Sequence, residues 1–92
     1  MLESSTVVKR TEQQVSCNLN EDVAILDLKN AVYFGLEGVG AYIWETLEQP
    51  KSVAELCRSV VGAFDVPQEQ CQADVLAFLG HMKEAGLVET VS

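Results

Sequence analysis

Tyr33-Phe34-Gly35-Leu36-Glu37-Gly38-Val39-Gly40-Ala41-Tyr42-Ile43-Trp44-Glu45-Thr46-Leu47 reads as a strand, a turn punctuated by glycines, and an amphipathic helix. From Ala31 to Leu36 the residues alternate: Val32, Phe34 and Leu36 share one face, and Ala31, Tyr33 and Gly35 share the other. Gly35, Gly38 and Gly40 lack the spacing of a dinucleotide-binding loop and suit a strand-to-helix reversal instead. The helix is expected from about Val39 to Gln49. Val39, Gly40, Ile43, Trp44 and Leu47 form one apolar stripe, which places Ile43 and Trp44 in the core. Gly40 is expected to let the helix approach the sheet, and Pro50 to end it.

Upstream, Val23–Leu28 is the clearest strand, and Lys29-Asn30 turns it back into Ala31–Leu36 as an antiparallel hairpin. Gln14–Leu19 also alternates, with Val15, Cys17 and Leu19 on one face, and Asn20-Glu21-Asp22 marks the turn after it. Thr6–Thr11 reads as a short edge strand behind a frayed tail over residues 1–5. Downstream, Ser52-Val53-Ala54-Glu55 matches a capping box, so a second helix starts there with Val53, Leu56, Cys57, Val60 and Val61 turned inward. A third helix opens near Pro67 and runs to about Ala85. Val75, Leu79 and Met82 lie on its inner face, with Leu76 and Phe78 flanking. Gly86 suits the left-handed position after a helix, and Leu87 and Val88 should fold back onto the core. The fold expected is a single α+β domain over residues 1–92: winged helix-turn-helix-like, a three-stranded antiparallel sheet followed by three helices.

Composition narrows the function. Hydrophobic residues make up 48% of the 92, enough for one core. Six basic against fourteen acidic residues give a net charge of −8, which repels the phosphate backbone that a nucleic-acid binder must attract. No apolar run is long enough for a membrane span, and Met1–Ser5 has no basic region followed by an apolar core, so no secretion signal is expected. Cys17, Cys57 and Cys71 are an odd set without C-x-x-C spacing and read as reduced thiols of a cytoplasmic protein, Cys57 and Cys71 as packing residues. With His81 as the sole histidine, neither a metal site nor a cofactor is expected.

Catalysis finds little support. No Ser/His/Asp set and no phosphate-binding glycine loop is present, and a cysteine with His81 would lack a third residue and an oxyanion donor. The Ala31–Leu36 strand offers binding instead. It carries no charge and no proline, the usual guards of a sheet edge, so its open backbone groups could take up another extended chain.

Asp27-Leu28, the aromatic pair Tyr33-Phe34, then Gly35-Leu36, Gly40, Ile43, Trp44, Asp74-Val75 and Gly86-Leu87 occur in an order that resembles the PqqD-like family of small peptide-binding domains. The resemblance runs from about Asp22 to Val88. Glu37 departs from it, because the family usually has asparagine there, a better helix cap. The resemblance implies binding of the leader of a ribosomally made precursor peptide, which docks as an added strand beside Ala31–Gly35 against the third helix. The residues implied are Ala31, Val32, Tyr33, Phe34 and Gly35 on the strand, and Cys71, Asp74, Val75, Phe78 and His81 on the helix. Backbone groups of Val32, Tyr33 and Phe34 would bond the leader. Tyr33, Val75 and Phe78 would form pockets for its apolar side chains, and Asp74 would pair a basic residue or a tyrosine hydroxyl.

The resemblance also implies a non-enzymatic role, with no membrane or nucleic-acid partner. The chain stops soon after the domain and so resembles discrete members, such as those of lasso-peptide clusters. There a leader protease, a cyclase or another modifying enzyme acts on the presented precursor. Two other classes fit a small α+β domain: a winged-helix DNA-binding regulator, and an interaction module that binds a folded enzyme partner.

Overall fold

Strand pairing in the computed structural model, which describes residues 2–91, sorts the backbone into two antiparallel sheets joined by three helices. In chain order the elements are β1 (Val7–Arg10), β2 (Gln14–Leu19), β3 (Asp22–Asp27), β4 (Val32–Leu36), α1 (Gly38–Thr46), β5 (Lys51–Ser52), α2 (Val53–Ala63), α3 (Gln68–Glu84) and β6 (Val88–Thr90). The larger sheet is the expected meander, β2-β3-β4, which leads directly into α1. Val23 and Ile25 of β3 are buried in one core with Ile43 and Trp44 of α1 and with Leu47 just after it, and α2 and α3 complete the core with Leu56, Val60, Val75 and Leu79.

The second sheet was not legible in the sequence. β1 is not an edge strand: it lies between β5 and β6, with Val7 opposite Ser52 and Val8 opposite Thr90. Its partners are two and three residues long, too short to show an alternation. Of the segment expected to fray, Met1 lies outside the described residues and the stretch up to β1 is tied down. The Ser4 carbonyl accepts from the Ala54 N–H and the Thr6 carbonyl from the Val53 N–H, while Ser52 Oγ accepts from the Glu55 N–H at 3.1 Å and Glu55 Oε1 from the Ser52 N–H at 2.9 Å. The first turn of α2 therefore has its orphan donors satisfied by the capping box and by the N-terminal segment together.

One detail adds to the expectation and two differ from it. Val15, Cys17 and Leu19 do share a face of β2, but that face is exposed, and half-buried Gln14 and Ser16 turn inward. Alternation fixes which residues share a face, not which face is covered. Val61 lies outside the buried stripe of α2. Gly40 serves a close approach to α3 rather than to the sheet: a Cβ on it would lie 3.1 Å from Cε1 of Phe78. The end of α3 is as expected. Gly86 has φ +78°, its N–H donates to the Lys83 carbonyl, and the Leu87 N–H donates to the Met82 carbonyl. Leu87 and Val88 are both buried.

Candidate functional site

The β3–β4 turn sets the starting point of the candidate edge. Asp27 ends β3 with its side chain buried at the turn, where its Oδ1 accepts from the Lys29 and Asn30 N–H groups and its Oδ2 from Asn30 Nδ2 at 2.9 Å. These bonds, the one from the Asn30 side chain foremost, hold the Asp27 carboxyl below its ordinary pKa although the local burial opposes them. Ala31 belongs to this turn and not to the strand; its φ is +55°, a left-handed conformation rare for a residue with a Cβ. Val32 is then the first residue of β4, opposite Asp27.

Hydrogen-bond parity identifies the open groups. The Leu28 N–H donates to the Gln13 carbonyl, so Gln13–Leu28 is a bonded pair and the pairs Val15–Leu26 and Cys17–Ala24 follow it at intervals of two. On β3 the alternate residues Val23, Ile25 and Asp27 must then bond β4, through Leu36, Phe34 and Val32. The N–H and C=O groups of Val32 and Phe34 are spent inside the sheet. Those of Tyr33 and Gly35 point away from it. An added strand therefore has Tyr33 and Gly35 as its bonding partners, a distinction that the alternation of side chains alone did not reveal.

Side chains follow the same division. Tyr33 is 74% exposed and lies on the outer face beside Leu26 and Val15, while Phe34 and Leu36 pack half-buried against the core. A Cβ on Gly35 would meet nothing within 4 Å, so this part of the outer face is open.

On α3 the expected residues separate into two groups. Cys71 and Val75 are 1% and 0% exposed and belong to the core, with the Cys71 thiol donating to the Cys57 carbonyl. Asp74 and His81 face solvent, and Phe78 lies between, half-buried. Phe78 packs against α1: its ring rests on Gly40, in the first turn of the helix that follows β4 directly. The side chains presented from α3 are thus Asp74, Phe78 and His81, spaced by four and three positions along one face. Sequence reasoning missed Gly40 as the seat of this ring; the signal was a glycine inside the apolar stripe of a helical pattern.

A concavity of about 590 Å³ lies elsewhere, lined by Ser4, Cys57, Arg58, Gln68 and Gln72 among others. Among the described residues no three metal-ligating side chains gather, and no helix is long and apolar enough to cross a membrane.

The model of the family described as coenzyme PQQ synthesis protein D matches residues 22–88, most of the chain. The chain belongs to the PqqD family. That match spans β3 through the first residue of β6 and includes both the β4 edge and the whole of α3. Among solved structures, TbiB1 in complex with the TbiA(beta) leader peptide is similar at 28% identity and TM-score 0.85, over 91% of this chain and 98% of that one. A lasso peptide synthetase B1 complexed with the leader peptide shares the fold at 18% identity and TM-score 0.76, over 89% of this chain and 96% of that one. No curated protein matches the sequence.

Proposed function

We propose that this PqqD-family chain is a leader-peptide recognition domain of lasso-peptide biosynthesis, which holds a precursor for a leader protease, a cyclase or another modifying enzyme. The observation that carries this reading is the likeness, over nearly the full length of both chains, to a protein seen with its leader peptide bound. The leader adds as a strand along β4, hydrogen-bonded to Tyr33 and Gly35. Ala31 in the turn and Val32 at the start of β4 mark one end of the strip, and Phe34 anchors the strand to the core. Tyr33 and Phe78 offer apolar contact, Asp74 takes a basic or hydroxyl group of the leader, and His81 sits at the rim. Cys71 and Val75 act from beneath, by fixing α3 in the core.

The role is binding without catalysis, in the cytoplasm. Tethering the leader raises the effective concentration of the attached core peptide at a partner's active site. Calorimetric titration with the synthetic leader of the cognate precursor tests this. Saturable binding at one site per chain is expected. Tyr33→Ala should weaken it, and Tyr33→Pro should weaken it by about a further tenfold, because proline removes an outward N–H and its ring crowds the edge without costing a β3–β4 bond. A folded protein that ignores the leader, or a Tyr33→Pro variant that binds like Tyr33→Ala, refutes the reading.

A further inference from the structure

The same parity that opens β4 opens the opposite edge of the sheet. Val15 and Cys17 bond β3, so the N–H and C=O groups of Gln14, Ser16 and Asn18 point outward from β2. Over its six residues, Gln14 to Leu19, β2 has no charge and no proline, and so none of the usual devices that keep a second chain away.

The two sides of this edge differ in chemistry. On the inner side a concavity of about 500 Å³ runs between β2 and the end of α1, lined by Arg10, Ser16, Cys17, Asn18, Glu45 and Glu48. Arg10 offsets only one of the two negative charges there: Glu48 and Glu45 act on its guanidinium from nearby without an ion pair, which leaves the groove one charge negative. The Arg10 guanidinium donates to the Trp44 carbonyl, from Nε at 3.1 Å and also from Nη2, and lies 4.5 Å from the Trp44 ring centroid. The one ion pair among the described residues is Lys9 with Glu89, so Glu45 and Glu48 have no bonded cation. On the outer side Val15 and Leu19, each 56% exposed, continue an apolar surface towards Leu26 and Tyr33.

We infer that the β2 edge is a second strand-addition site, distinct from β4, that takes an extended segment of a partner protein in which lysine or arginine alternates with apolar residues. The basic side chains enter the groove over Glu45 and Glu48, and the apolar ones lie beside Val15 and Leu19. Charge complementarity selects this occupant over a second copy of the chain. Two β2 strands paired about a two-fold axis normal to the sheet would put both acidic grooves on the same side, and antiparallel pairing would bring Glu12 of each copy towards Glu21 of the other. A chain with net charge −8 opposes self-pairing further.

The probe is an acetylated, amidated hexapeptide alternating lysine and valine, with its glutamate counterpart as control, titrated into ¹⁵N-labelled full-length protein. The lysine peptide should shift the Ser16 and Asn18 amides and slow their hydrogen exchange, while the glutamate peptide leaves them unmoved. Ser16→Pro, which removes an outward N–H and no β2–β3 bond, should weaken binding by about tenfold. Glu45→Gln with Glu48→Gln should weaken it comparably and flatten its salt dependence. Binding of the leader peptide by Ser16→Pro should stay at the wild-type level, so a failure here is separate from a failure at β4. The inference is overturned if neither peptide binds, if both bind equally, or if the lysine peptide moves Tyr33 and Gly35 instead. It is also overturned if sedimentation shows a dimer that Ser16→Pro dissolves, which would make a second copy the occupant.

Discussion

Gly40→Ala sets two opposing effects against each other. Gly40 lies in the first turn of α1 with φ outside the left-handed region, so alanine fits the backbone and should gain about 0.5 kcal/mol of helix propensity. Against this, the new Cβ would stand 3.1 Å from Cε1 of Phe78, 3.6 Å from Cδ1 and 3.7 Å from Cζ. One contact is too short and two are ordinary, so the ring must yield by a few tenths of an ångström. Overpacking of this kind costs about 1–3 kcal/mol, and a half-buried ring with room to move puts the cost near the lower end. The balance is a net loss of about 1 kcal/mol, or a fall in Tm of about 4–8 °C for a domain of this size. Thermal and urea unfolding measure it. The decisive comparison is the same substitution in a Phe78→Leu background, which lacks Cε1 and Cζ. There Gly40→Ala should become neutral or stabilising. Equal effects in the two backgrounds, within about 0.3 kcal/mol, would mean that the ring and the glycine are not coupled and that the reasoning is wrong.

Other expectations follow from single interactions. Ser52→Ala removes one half of the α2 capping box and should cost about 1 kcal/mol in urea unfolding. Because the Asp27 carboxyl titrates below its ordinary value of 3.8 in the folded chain, its contribution is present above that value and is lost as pH falls through the lower, folded one. Asp27→Asn should therefore lower stability at neutral pH and flatten the acid limb of a plot of urea midpoint against pH. Burial raises the pKa of the Cys57 thiol and Cys71 is buried, whereas Cys17 is exposed, so a thiol-disulfide reagent should modify Cys17 first and the other two only as the protein unfolds. A mass spectrum of the briefly treated native protein distinguishes them.

The sequence carried the elements with strong local signals. The capping box at Ser52, the glycine after α3 and the alternation of the β3–β4 hairpin each rest on interactions between residues close in the chain, and each is found where it was expected. What was not legible depends on distant partners. β1 is central only because residues 51–52 and 88–90 flank it. The outward direction of Val15 and Leu19 depends on where the helices stop covering the sheet, which no period of two encodes. Of the residues expected at the candidate site, Cys71 and Val75 point into the core and Ala31 lies in the turn. The open backbone groups of Tyr33 and Gly35 required the hydrogen-bond phase of the ladder, which depends on how β2 and β3 align.

The β1–β6 pairing also decides how this domain can be handled as a unit. Val8 lies opposite Thr90, and the Val91 N–H donates to the Val7 carbonyl at 2.8 Å, so the chain enters and leaves at one spot. A host protein could accept the domain in place of the tip of a surface hairpin, since Val7 and Val91 are cross-strand neighbours about 5 Å apart, provided that the entering strand keeps Ser4–Thr6 for the first turn of α2. Such a graft would leave the spacing of the host's own hairpin almost unchanged. The domain can thus be moved between proteins by insertion into a loop as well as by end-to-end fusion.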